Sequence, residues 1–255
     1  MRTISTLLLL TTLLGSAAHT QDITVAAAAD LNYALKDLAS RFEKKTGDKI
    51  ILAFGSSGNL YSQVQGGAPY DLFFSADIAY PQKLASAGLV ESSSLRIYAI
   101  GHLVLWVPNG SSFDPQKLKM DLLLQSSVQR IAIATPAHAP YGRAAMAVLE
   151  HFGLKDKVAG KLVFGENISQ AAQFVRSGNA QAGLIALSLA VSPAMKDSGR
   201  YWELPTDSYP ELQQGVVLLS ASKHKPAAKA FLEYLFSAEG TAVLEQYGFH
   251  VPRSK

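Results

Sequence analysis

Short apolar runs alternate with segments of helical period along nearly the whole chain, and that alternation limits the fold more than any other feature. ITVAAAA, from Ile23, has the length of a strand; Leu31, Ala34, Leu35, Leu38 and Phe42 then recur at helical spacing until Gly47 stops them. Ile50–Phe54 predicts a second strand. The turn Gly55-Ser56-Ser57-Gly58 leads from it into a short helix carrying Leu60 and Val64, which ends at Gly66-Gly67. Asp71–Phe74 predicts a third strand and Pro81–Ala87 lies in a third helix. Such a βαβαβα series predicts a parallel sheet with helices on its faces. Ile97–Val107 is a long apolar segment suited to carrying the chain out of this first unit.

A second alternation begins at Ile131–Thr135, with a helix over about 140–152, a strand at Leu162–Phe164, a helix over about 168–177 and a strand at Ala182–Ala186. After Tyr201–Leu204 and a polar, proline-marked stretch, Gly215–Leu219 gives one more strand. Two helices follow, over about 226–236 and 238–247. The order and lengths predict an α/β protein of two lobes around a cleft. Residues 21–100 with 212–255 would form one lobe, and 101–211 the other.

Residues 1–20, MRTISTLLLLTTLLGSAAHT, stand apart from this pattern. Arg2, the leucine-rich run to Leu14 and the small residues Ser16, Ala17 and Ala18 have the layout of a secretory signal, with cleavage expected between Ala18 and Thr20. The apolar run is too short for a membrane span. The chain has no cysteine, so an exported form would rely on its core rather than on disulfides and could carry no lipid on an N-terminal cysteine. The expected location is the periplasm, in solution. The formal charge of +3 falls by one when Arg2 leaves, and the basic residues are scattered apart from Lys223–Lys225. That cluster reads as a solvated turn, and nothing points to nucleic acid.

Four strand-to-helix junctions carry small or polar residues at the helix start: Asp30 in AAADL, Ser57 in GSSGN, Tyr141 in APYG and Ile168 in GENIS. A helix start leaves about four N–H groups without intrahelical partners, and the macrodipole adds roughly half a positive charge there. Several such ends on one cleft would hold an anion without lysine or arginine. Each junction also has a purely structural reading. Asp30 is an ordinary N-cap residue, Asn167 and Gln170 fit a capping box, Pro140 can start a helix, and Gly58 can serve a tight turn. Taken together the two readings stand level, and periodicity goes no further.

An enzyme finds little support. Ser220-Ala221-Ser222-Lys223 matches S-x-x-K, but the companion motifs of serine penicillin-interacting enzymes are missing. GSSGN is not a nucleophile elbow. The six histidines show no metal-ligand spacing, and His102, His138 and His151 are expected to be packing or surface residues.

At the same residues the chain resembles a known family. FGSSGNLYSQVQGGAPYDLFFSAD (54–77), YAIGHLVLW (98–106), APYGRAAMAVLEHFGL (139–154) and the terminal EQYGFHVP (245–252) are similar to the periplasmic molybdate-binding proteins of ABC importers. The likeness spans essentially the whole mature chain. It implies the two-lobed periplasmic-binding-protein (type II) fold, each lobe a mixed, mostly parallel sheet flanked by helices. It also implies capture of molybdate, and of tungstate, as a tetrahedral dianion in the cleft, and delivery to the membrane permease of an ABC importer. No catalysis, no cofactor, no metal held as a direct cation ligand and a monomeric state go with it.

Carried over by position, Ser57 would offer its hydroxyl and N–H, with Ser56 beside it. Tyr141, Ile168 and Asp30 would offer backbone N–H groups. Two departures stand out: many relatives have serine or a threonine-asparagine pair where this chain has Ala29-Asp30, and some use a tyrosine hydroxyl where it has Ala186. The donor shell is therefore expected to be smaller, or completed by another group.

Asp30 needs a physical account. At 4 Å and an effective dielectric of 20, two unit charges interact by about 4 kcal/mol, roughly doubled for a dianion. Nanomolar affinity amounts to only about 12 kcal/mol. An ionised Asp30 is therefore expected to turn back and cap its own helix while its N–H points inward. Alternatively it would accept a proton from a ligand such as hydrogen phosphate. A shell made only of donors disfavours ligands that carry O–H, at about 1–3 kcal/mol for the unpaired hydrogen. Sulfate and phosphate are the alternative oxyanions. An amino acid is a more distant rival that Arg143 could serve, although at a helix start its side chain is expected on the solvated face.

Overall fold

The computed structural model describes residues 21–252; the expected signal segment lies outside them. β1 (Asp22–Ala28) alternates its faces: Ile23, Val25 and Ala27 enter one core and Ala26 another. Both faces are covered, which is why the run reads as apolar throughout. A 3₁₀ turn, Ala29–Leu31, follows, so α1 (Ala34–Thr46) starts later than the apolar spacing predicts. It buries Leu35, Leu38 and Phe42, and Gly47 ends it in the left-handed conformation at φ 85°. The chain continues through β2 (Lys49–Gly55), α2 (Ser57–Gln65), β3 (Leu72–Ser75) and α3 (Ala79–Ser86).

The long apolar segment resolves into two strands, β4 (Arg96–Gly101) and β5 (Leu103–Pro108), in different sheets and broken at His102. Then come α4 (Pro115–Leu118), β6 (Ile131–Ala134), α5 (Pro140–His151), α6 (Lys155–Val158), β7 (Leu162–Gly165), α7 (Ile168–Arg176), β8 (Ala182–Ala186), α8 (Leu187–Ala190) and β9 (Gly199–Glu203). β10 (Leu212–Leu218), α9 (Lys225–Leu235) and α10 (Ala238–Gln246) complete the order.

The strands form two five-stranded sheets, β2-β1-β3-β10-β4 and β7-β6-β8-β5-β9. In the first, β1 pairs in parallel with β2 and β3, while β10 runs antiparallel to both β3 and β4. The second repeats the plan, with β6 parallel to β7 and β8 and β5 antiparallel to β8 and β9. In each sheet the reversed strand is the one the chain enters just after crossing from the other sheet. The crossings lie at His102 and between β9 and β10. The first sheet is covered on one face by α1, α9 and α10, where Phe42 meets Phe231 edge-on at 5.1 Å. Its other face holds Leu60, Phe73 and Leu84 under α2 and α3. These layers turn the starts of α2, α5 and α7 toward the line where the two units meet.

Candidate functional site

At that line the β1–α1 turn and the first residues of α2, α5 and α7 surround a small hollow. Asp30, Ser56, Ser57, Tyr141 and Ile168 all line it, together with Ala28, Ala29 and Pro140. None of its lining residues is a lysine or arginine. Its volume is about 10 Å³, close to the ~10–15 Å³ one water-sized sphere occupies, so it suits a compact ion and not an organic solute. A larger cleft of about 290 Å³ adjoins it, lined by Asp77, Glu211 and Arg143 among others. Arg143 there is already paired to Asp77 at 2.6 Å, so the cleft offers no set of free converging donors.

Ser56 is the N-cap of α2: its Oγ accepts the Asn59 N–H at 3.4 Å and lies 2.9 Å from Nδ1 of His138. Ser57 is buried, and its Oγ accepts the Ala76 N–H at 3.0 Å. With that lone pair occupied, its own proton is left to point elsewhere, and the hollow lies beside it. Tyr141 follows Pro140 in the first turn of α5, and Ile168 follows the N-cap Asn167 of α7. Amides in those positions have no acceptor in their own helix. Asn167 Oδ1 accepts the Gln170 N–H at 3.1 Å, while Gln170 Oε1 accepts from Glu166 N–H, one residue earlier than in a standard capping box.

Asp30 departs from expectation. Its carboxylate takes its side-chain hydrogen-bond partner from outside the turn it sits in, on β10. It is 1 % exposed, and Oδ2 accepts from Gln214 Nε2 at 2.6 Å. The same nitrogen donates to the Tyr141 hydroxyl at 3.1 Å, and the Tyr98 hydroxyl donates to Gln214 Oε1 at 2.6 Å. Gln214, a buried polar group on β10, therefore draws the carboxylate inward: pairing it is worth more than a local cap. Oδ1 is buried without a hydrogen-bond partner. Burial pushes the Asp30 pKa up to about 6, against the pull of Gln214, Tyr141 and the nearby N–H groups of Asp30 and Leu31. Burial and the neighbouring Asp30 raise the Tyr98 and Tyr141 phenols well above their ordinary value.

Several contacts tie the two units across the site. Ser188 in α8 donates to the Asp30 carbonyl at 2.8 Å, Ser169 donates to the Ala29 carbonyl at 2.8 Å, and the Gly58 N–H donates to the His138 carbonyl at 2.9 Å. A Cβ on Gly58 would stand 2.8 Å from that carbonyl oxygen and 2.9 Å from the Tyr80 hydroxyl, so the second glycine of GSSG lets the units approach. His138, expected as a packing or surface residue, is part of this join. Arg143, expected on the solvated face, is partly exposed but reaches Asp77, and the Tyr80 hydroxyl at 3.4 Å. Ala186 ends β8 as the N-cap of α8 and brings no side-chain donor. Gln214, Tyr98 and Ser188, which hold Asp30 from behind the hollow, were not legible in the sequence, because no local pattern marks them.

The family model for bacterial extracellular solute-binding proteins matches residues 23–250. The chain is 40 % identical over 237 residues to the molybdate-binding protein ModA of Azotobacter vinelandii, covering 93 % of each chain. It is 36 % identical over 229 residues to ModA of Rhodobacter capsulatus, covering 89 % of this chain and 88 % of that one. The solved periplasmic molybdate-binding protein of Azotobacter vinelandii superposes with a TM-score of 0.85 at 34 % identity, over 91 % of this chain and 100 % of that one. Sequence, fold and two-sheet topology agree: the chain belongs to the bacterial extracellular solute-binding protein family.

Proposed function

We propose that this protein captures molybdate, and tungstate with it, as a dianion in the hollow between its lobes and delivers it to the permease of an ABC importer. One observation carries the reading: the starts of α2, α5 and α7 and the Ser57 hydroxyl converge on one compact hollow with no cation in its wall. Charge-assisted hydrogen bonds contribute about 1.5–3 kcal/mol each, so some five to seven suffice for tight binding after ordering costs. The lobes are residues 21–100 with 212–255, and 101–211, and their approach brings both sets of donors onto one ion. The molecule works as a periplasmic monomer, exported by residues 1–20, and does no chemistry on the ion. The near relatives named for molybdate, and the fold shared with a periplasmic one, support this.

Hydrogen phosphate is the second reading, favoured by the unpartnered Oδ1 of Asp30, which an O–H on the ligand could satisfy. Titration calorimetry on Ser57→Ala tests the site. Molybdate binding should weaken by at least 1 kcal/mol, about fivefold, while Lys223→Ala leaves it unchanged. Equal and negligible effects would remove Ser57 from the site.

A further inference from the structure

Asp30 lines the hollow, and one oxygen of its buried carboxylate is left without a partner. Asp30 Oδ1 has no hydrogen-bond partner, although its residue is 1 % exposed and lines the hollow. A buried carboxylate oxygen without a partner is costly, and an ionised one beside a dianion costs more. The groups packed around it bring no positive charge. β10 presents Gln214, α5 presents Tyr141, β4 presents Tyr98 behind Gln214, and α8 presents Ser188 to the backbone carbonyl. The two phenols are the titratable groups among them, and both hold their protons. Among the described residues no lysine, arginine or histidine hydrogen-bonds to this carboxylate.

Gln214 Nε2 donates to Oδ2 while Oδ1 has no partner, so Oδ1 is the oxygen on which a proton is placed. A neutral carboxyl in this position changes from a repelling acceptor into a donor. It also supplies a side-chain donor in a shell where Ala29 and Ala186 supply none.

Resting on the molybdate reading above, we propose that Asp30 is a direct ligand in its neutral form, its Oδ1–H donating to an oxyanion oxygen, so that each captured dianion brings one proton with it. The balance is simple. The ionised protein, one proton from solvent and the dianion combine into a complex in which no covalent bond to the ion forms or breaks. The bound site then holds the charge of the ion alone. Burial has already moved Asp30 to a pKa of about 6, which keeps the cost of that proton small near neutrality. Near pH 7 the free carboxylate is mostly ionised, so about 0.9 proton should be taken up per ion, and affinity should fall about tenfold from pH 7 to 8. Below pH 6 the dependence should flatten.

Calorimetry of the mature protein with sodium molybdate at pH 6, 7 and 8, in buffers of different ionisation enthalpy, counts the protons directly. Uptake near one proton, with the tenfold loss above pH 7, is the expected result. In Asp30→Asn, whose amide donates without titrating, uptake should vanish, and at pH 8 the variant should bind several-fold more tightly than wild type. Wild-type binding with no proton uptake, or with release of a proton, would overturn the proposal while leaving the molybdate reading standing. No molybdate binding at any of the three pH values would overturn both. Because the wild-type proton count decides the matter, a failure of Asp30→Asn to fold would not rescue it.

Discussion

Replacing Asp30 by asparagine should make the ligand-free protein more stable at neutral pH, although it removes a charged hydrogen-bond acceptor from a buried network. The sign follows from the direction of the shift. The carboxyl has a reference value of 3.8 and rises to about 6 in the folded state, mainly through burial. A carboxyl raised on folding stabilises when protonated, so its contribution is fully present below about pH 4 and is lost as pH rises to about 6. Above that, the ionised side chain costs about two pKa units at 1.36 kcal/mol each, or roughly 3 kcal/mol. Asparagine keeps the shape and can still accept from Gln214 Nε2. The bond is weaker without the charge, by about 1 kcal/mol. The net gain is then ~2 kcal/mol at pH 7.5, a rise of roughly 4–8 °C in Tm for a chain of this size. The gain should shrink toward zero near pH 4. Urea denaturation of both proteins at pH 4.5 and 7.5 without oxyanion, compared at equal m, measures it. A variant less stable than wild type at pH 7.5, or a difference that does not change with pH, would refute the reasoning.

Gly58→Ala should weaken molybdate binding about tenfold, from an overpacking cost of 1–3 kcal/mol where the new Cβ meets the His138 carbonyl. Because that carbonyl belongs to the opposite lobe, the melting temperature should change far less than the affinity. An unchanged Kd would show that the lobes do not close on this glycine. Arg143→Ala removes an ion pair that is partly exposed at both ends; such pairs contribute about 0–1 kcal/mol, so affinity should stay within about fivefold. Complete loss of binding would favour a zwitterionic ligand.

The strands were legible because both faces of each sheet are covered, which leaves apolar runs bounded by polar turns. The same property hid the break at His102: β4 and β5 are both apolar, and only His102 separates them. α4, α6 and α8 are four residues each, about one turn, too short to show a helical period. Asp30, Ser57, Tyr141 and Ile168 could be picked out because a polar or small residue after a strand and before a helix is a local signal. Gln214 could not. It lies 184 positions from the carboxylate it binds, and in sequence it is one more polar residue before a strand. The expectation at Asp30 was incomplete for that reason: its own turn offers the N–H groups of Asp30 and Leu31, and the tertiary fold adds Gln214 from β10.

Titration calorimetry of the mature protein with molybdate, tungstate, sulfate and phosphate at pH 7 separates the proposed ligand from its rivals. Tight binding of molybdate and tungstate, with sulfate and phosphate roughly a thousandfold weaker, or about 4 kcal/mol, is the predicted result. Preferential binding of phosphate, or tight binding of none of the four, would contradict it.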